Sequence, residues 1–354
     1  MPEGRQSRAG GNPGRYDCGS RAASPSEQDR AANSQIEKQL SAGWFASRRQ
    51  AQNRCTGRQG GMECFRATLT AALLGLLCGS SAAFSAQLFD IRLEAAYTYD
   101  DNVTRSEGAG NVLSDRFFTA TVSGAHAVTL TDRSRFALEV FVGGDWYDRH
   151  DGLSRYFAGA QGELQFRPSG EFDAPTFGLF LRVLKDQYDS ELRDGYRYSA
   201  GIRVLKPVTD RIELFAAAAY NKRDGKSAVF DTDDYSARVN FDYAVTRWST
   251  LYLGAEYRKG DVVSTARPSL DLITLAEAVV RDDAFTDTER LAYRIKASTV
   301  LATLGYNLAF GEKHSLDFSW RWAHARAHDE LNFGAGDKPE YKVNQYSVAY
   351  LLRF

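Results

Sequence analysis

Beyond residue 78 the chain contains no cysteine and no methionine: Cys18, Cys55, Cys64, Cys78, Met1 and Met62 are its whole stock of both. A domain built from the remainder has no disulfide to lean on and no thiolate to offer a metal. Proline is scarce as well. Pro2, Pro13 and Pro25 lie early in the chain, and Pro168, Pro175, Pro207, Pro268 and Pro339 fall at expected turns, strand ends or long connections, so none removes a ladder hydrogen bond from a strand centre. No stretch after residue 85 reaches the roughly 18 consecutive apolar residues of a membrane-spanning helix, which excludes a helical membrane bundle. Charge of one sign is also lacking. The whole chain carries a formal −1, and past residue 85 there are 33 basic and 39 acidic residues. That balance speaks against nucleic acid as a partner, because phosphate binding wants a basic surface. There is no Gly-x-Ser-x-Gly and no Gly-rich phosphate loop, and the run from Asp231 to Asp234 lacks the Gly and distal Glu of a calcium loop.

Two segments precede the bulk of the chain. Residues 1–61 are rich in Gly, Ser, Arg, Gln and Ala and cannot bury enough apolar surface to fold; they read as a disordered leader, a gene-start artefact ahead of a start at Met62. From Met62, Arg66 supplies a short positive region and Leu69 to Cys78 an apolar core of signal-peptide length. Small residues follow, with cleavage after either Ala83 or Ser85. Leu77 before Cys78 argues against a lipid-modified cysteine. The expected division is a leader over 1–61, a signal peptide over 62–85 and one domain over 86–354.

From residue 88 onward the period is two. Ile91, Leu93, Ala95, Tyr97 and Tyr99 alternate with Arg92, Glu94, Ala96, Thr98 and Asp100, and Leu316, Phe318, Trp320 and Trp322 alternate with Asp317, Ser319, Arg321 and Ala323. Such alternation predicts strands with one apolar and one mainly polar face. Twelve segments show it, near 88–100, 115–130, 135–147, 155–167, 176–188, 195–208, 211–222, 233–245, 249–259, 291–309, 314–326 and 341–354. Most exceed the roughly 9–11 residues that a tilted strand needs to cross a bilayer, and they are longer than the usual strand of a soluble sandwich. Short connections alternate with long ones, the pattern of a meander with tight turns at one end.

Every strand has a greasy face, and in lipid a sheet must close to pair all its backbone groups. The predicted fold is therefore all-β: a single transmembrane antiparallel up-and-down β-barrel of about twelve strands. Its lumen-facing candidates are Arg92, Glu94, Arg182, Arg203, Arg238, Glu256, Arg258, Arg294, Lys296 and Arg321. Arg slightly outnumbers carboxylate on that face, which leaves two readings: a pore favouring small anionic solutes such as acidic sugars, or a salt-bridged wall that braces the barrel.

The closing strand ends on Phe354, with Tyr346, Val348, Tyr350 and Leu352 at alternate positions behind it. It resembles the C-terminal recognition strand of Gram-negative outer-membrane proteins, which the barrel-assembly machinery reads. The opening Tyr97 to Ser106, followed by Ser114 to Gly124, resembles the first hairpin of porin-like outer-membrane β-barrel families. A Tyr-Asp-x-Asn element also occurs in barrels that help export surface lipoproteins, but the helical repeats that precede those barrels are not legible here. The resemblance spans about residues 88–354. It implies a bacterial outer membrane location and contact with outer-membrane lipid, and it names no solute.

The functional expectation is a porin-like passive channel for small solutes, not an enzyme, with no cofactor, no metal and no catalytic residue assigned. The alternatives are an outer-membrane enzyme with a rim active site and a non-conducting structural or adhesion barrel. For the enzyme, His150-Asp151 and His328-Asp329-Glu330 are the candidate acid–base groups, and no His-Ser-Asn element like that of outer-membrane phospholipases is present. The connection from Gly260 to Arg290 holds an amphipathic stretch, Leu270 to Val280. As a helix it would either fold into the lumen, cap the mouth or rest on the rim.

Overall fold

A computed structural model describes residues 90–354 except 109, 288 and 331–337. The leader and the signal segment lie outside the described residues. Among the described residues thirteen strands form: β1 (Asp90–Asp100), β2 (Asp115–Thr131), β3 (Ser134–Tyr147), β4 (Arg155–Phe166), β5 (Thr176–Tyr188), β6 (Gly195–Pro207), β7 (Ile212–Gly225), β8 (Thr232–Thr246), β9 (Ser249–Ala266), β10 (Ala278–Arg281), β11 (Leu291–Ala309), β12 (His314–Ala327) and β13 (Glu340–Arg353). Each wall strand pairs antiparallel with its neighbours in sequence, except that β9 pairs with β11, passing over the four-residue β10. Nine residue pairs from Arg92↔Arg353 to Asp100↔Gln345 join β1 to β13 and close the ring. The result is a twelve-strand antiparallel up-and-down β-barrel, as the period of two predicts.

The outer surface explains why the chain needs a bilayer. Leu179, Leu181, Ile202, Val239 and Leu253 are all more than half exposed, and each sits in the middle or lower part of a strand whose alternate residues point inward. A continuous apolar belt of this kind has no counterpart on a soluble monomer and is stable only against hydrocarbon, so the barrel spans a membrane. Aromatic pairs border the belt. Phe118 and Trp146 (5.9 Å between centroids) and Tyr220 and Tyr235 (5.1 Å) lie toward one rim, and Phe310 and Tyr350 (6.2 Å) toward the other. Such amphipathic rings suit the headgroup level.

Short turns lie at one rim with both ends of the described chain; 132–133, 208–211, 247–248 and 310–313 are among them. At Thr131 and again at Thr246 the turn is closed by paired hydroxyls, Thr131 with Ser134 (2.7 Å) and Thr246 with Ser249 (2.8 Å). The long connections crowd the opposite rim.

The stretch over 270–280 departs from the expected helix. A helix, α1, covers only Leu270–Leu275, none of its residues is buried, and Ala276 is already extended. Val279 and Val280 instead join β10, which pairs with Leu291–Arg294 of β11. The reason lies in the neighbouring strands: β12 begins to pair with β11 only at Ala297, so the first residues of β11 would leave unpaired backbone groups on that side, and β-branched residues supply the missing partner.

Candidate functional site

The inner wall is polar and internally braced. Arg203 on β6 donates through Nε to Glu163 Oε1 on β4 (2.7 Å), and Gln165 Nε2 donates to the same oxygen (2.7 Å). The intervening strand β5 passes beneath this pair at Gly178, where a Cβ would lie 2.6 Å from Glu163 Oε1. On the far side, Tyr252 of β9 crosses β11 at Gly305 and donates to Asp317 on β12 at 2.9 Å; a Cβ on Gly305 would meet its ring at 2.0 Å. In both places a wall position without a side chain lets the bridging group lie flat against the barrel. The braces run along the wall and do not cross the lumen.

Two sets of guanidiniums stand out on this wall. On β8, β9 and β12, Arg238, Arg258 and Arg321 all act electrostatically on the buried Glu256. On the β3–β7 side, just under the long-loop rim, Arg155 bridges Asp145 (2.6 Å) and Asp186 (2.7 Å), and Arg197 reaches Asp186 from the other side (2.6 Å). Arg223 lies above the Tyr188 ring at 5.3 Å, and Arg155 above the same ring at 5.7 Å. In each set guanidiniums outnumber the carboxylates they share.

The wall candidates fall as follows. Arg92, Glu94, Arg182, Arg203, Arg238, Glu256, Arg258 and Arg321 lie on the face opposite the exposed apolar positions of their strands. Arg92 pairs with Asp90 (3.1 Å), and Arg182 lies over the Phe141 ring (4.5 Å) and donates to Gln161 (3.2 Å). Arg294 and Lys296 correct the sequence reading. They share the parity of Val300, Leu304 and Tyr306, the lipid-facing set of β11, and stand beyond the first residue paired to β12. Arg294 donates to the Ala228 carbonyl (2.8 Å) and Lys296 pairs with Asp261 (2.6 Å), so both tie the long-loop end together. The alternation through Ser298 and Val300 carries this information, because parity puts both residues on the outer face whatever their charge. In the closing strand, Tyr346, Val348 and Phe354 are exposed on the outer surface, and Tyr350 and Leu352 share the parity of Tyr346.

The main feature missed from sequence is at the mouth. After β10, residues 282–287 run across the opening from the β9–β11 side to the β3–β4 and β5–β6 connections, nearly diametrically opposite in strand order. Asp282 has no exposed side-chain surface; it accepts from Arg193 Nη2 at 2.5 Å and from Thr265 Oγ1 at 2.6 Å. Ser190 hydroxyl donates to Asp283, and Ala284 presses on Gly152 so closely that a Cβ there would fall 2.3 Å from Ala284 Cα. Phe285 and Ala284 are buried against Leu153, with Val103, Leu113 and Tyr147 around them. Arg290 anchors the far end on the carbonyl of Asn111 (3.0 Å). The first connection folds inward too: Asp100, Asn102, Thr104 and Ser106 are buried, and Thr265 N donates to the Thr104 carbonyl (2.8 Å).

The acid–base candidates do not assemble. The His150 ring packs at a tilt against Phe285, with 5.1 Å between centroids; its ring nitrogen Nδ1 has no hydrogen-bond partner, and burial holds its pKa below the usual histidine value. His328 Nε2 meets Ser298 (3.0 Å), not Asp329 or Glu330.

No family model matches this chain, and no curated protein matches it. Among solved structures it is similar to the COG4313 outer membrane channel from Pseudomonas putida F1, at 11% identity over 77% of this chain and 99% of that one, with a TM-score of 0.47. It is also similar to the KdgM porin (10%, 74% and 99%, TM-score 0.36) and to the NanC porin (7%, 74% and 100%, TM-score 0.39).

Proposed function

We propose that the protein is a passive channel of the bacterial outer membrane for small anionic solutes. The observation that carries this reading is the wall chemistry: Arg258 pairs with Glu256, whose field Arg238 and Arg321 also feel, and Arg155 and Arg197 both pair with Asp186 while Arg223 lies over the neighbouring Tyr188 ring. A guanidinium set left with excess positive charge in a narrow, partly desolvated tube attracts anions far more strongly than the same set would in water. In this reading the segment over 62–85 delivers the chain to the periplasm. The closing strand, with Tyr346, Val348, Tyr350, Leu352 and Phe354, is the element the assembly machinery engages, and the short-turn rim faces the periplasm.

The test is the reversal potential of the refolded barrel in a planar bilayer under a KCl gradient. A potential of the sign set by chloride supports the reading, and Arg258→Gln combined with Arg321→Gln shifts it toward zero. A cation-selective pore refutes the anionic part, and a barrel that never conducts refutes the channel. One observation favours that last outcome, a structural barrel without a pore: residues 282–287 run across the mouth from Arg193 and Ser190 to Gly152 and Leu153.

A further inference from the structure

The segment that crosses the mouth begins on a carboxylate, Asp282, and the wall beneath it is an arc of cations. Arg193, on the β5–β6 connection, lies 4.5 Å from the centroid of Phe230 and 6.0 Å from that of Phe285. Arg223 shares Phe230 at 5.7 Å and Tyr188 at 5.3 Å, and Arg155 lies 5.7 Å from the same Tyr188 ring. Cation and ring thus alternate from the closing segment along the inside of the rim. The Nε atoms of Arg193 and Arg223 are buried and have no acceptor. A buried donor left unmade is costly, so this arc has hydrogen-bonding capacity that the protein itself does not use.

We propose that Asp282 is a tethered stand-in for the carboxylate of the transported solute, and that a carboxylated solute opens the mouth by taking Asp282's place on Arg193. This rests on the channel reading and supplies what that reading lacks, a way past residues 282–287. Asp282 sits in the seat a solute carboxylate would choose: its side chain is fully buried, it holds the Arg193 guanidinium, and the Thr265 hydroxyl supplies a second donor. Only the open form offers that seat to a free anion. By linkage such an anion shifts the population toward the open form in proportion to its affinity for the vacated site, whereas a solute indifferent to Arg193 shifts nothing. The remaining contacts of the segment are of a kind that can re-form: a hydroxyl on Asp283, and Phe285 in a small apolar cup.

The experiment uses the full refolded barrel in a planar bilayer in KCl, with glucuronate or glucose added on the long-loop side. The two sugars share a ring and differ in the carboxylate. Glucuronate is expected to raise the open fraction of the wild type, and glucose is not. Asp282→Asn is expected to be open without either, by about tenfold or more, the factor that follows from losing one charge-assisted hydrogen bond. A second variant keeps the test sound should that substitution disturb folding. Ser190→Cys with Asp283→Cys, joined by a short thiol-reactive cross-linker, is expected to abolish the glucuronate response, and reducing the link is expected to restore it. If glucuronate and glucose act alike on a conducting wild type, or if the cross-link leaves the response intact, the latch is overturned and the channel stands. If neither the wild type nor Asp282→Asn conducts under any condition, the channel reading falls and takes the latch with it.

Discussion

Gly305→Ala adds one methyl group to an inner-wall position and is predicted to be among the more damaging single changes in the barrel. The added carbon would sit 2.0 Å from Cζ and 2.2 Å from the hydroxyl oxygen of Tyr252. Carbon atoms rest about 3.5–4.0 Å apart, so the ring must retreat by roughly 1.5–2 Å. That movement carries the hydroxyl, now 2.9 Å from Asp317, out of hydrogen-bonding range. A hydrogen bond to a charged acceptor contributes about 1.5–3 kcal/mol and overpacking costs about 1–3, so the expected loss is about 2.5–6 kcal/mol. In a Tyr252→Ala background the obstruction is gone. There the same methyl group is expected to be neutral or to stabilise by up to about 1 kcal/mol, since alanine loses less conformational freedom in a strand than glycine does. The assay is urea unfolding of the barrel in lipid vesicles, followed by tryptophan fluorescence, for the four chains of the double-mutant cycle. A Gly305→Ala barrel as stable as the wild type, or one equally destabilised in both backgrounds, would refute the flat-bridge geometry.

Two further outcomes follow from other parts of the molecule. Leu181, with 57% of its surface exposed on the outside of β5, should tolerate arginine poorly. The expected cost is about 2–4 kcal/mol near the bilayer midplane, read by the same unfolding assay, whereas unchanged stability would mean that this face does not meet hydrocarbon. His150 packs on Phe285, and burial holds its pKa below the ordinary 6.5, with Asp115 and Asp151 opposing that shift and Arg290 and Arg149 adding to it. Below that ordinary value the unfolded or released loop binds a proton that the closed mouth resists, so closure weakens as pH falls through 6.5 and below. Protease nicking within 282–287 should therefore rise on acidification in the wild type and lose that pH dependence in His150→Phe.

The alternation of apolar and polar residues was enough to place all twelve wall strands, because a strand's side chains have a period of two whatever surrounds them, and a hydrocarbon solvent permits no break in that period. The same rule, applied strictly, would have put Arg294 and Lys296 on the outer face of β11. What the chain alone did not disclose is which side chains meet across a skipped strand. Glu163 and Arg203 are forty residues apart and touch only because β5 offers Gly178 between them, and Tyr252 finds Asp317 only over Gly305. The mouth was equally hidden. Residues 282–287 carry no periodicity, and their partners Gly152, Ser190, Arg193 and Thr265 come from three separate parts of the chain. Closure of the ring sets those parts around one opening. Local chemistry therefore determined the strands and the faces they present, and the circular arrangement of the strands decided which loops share the mouth.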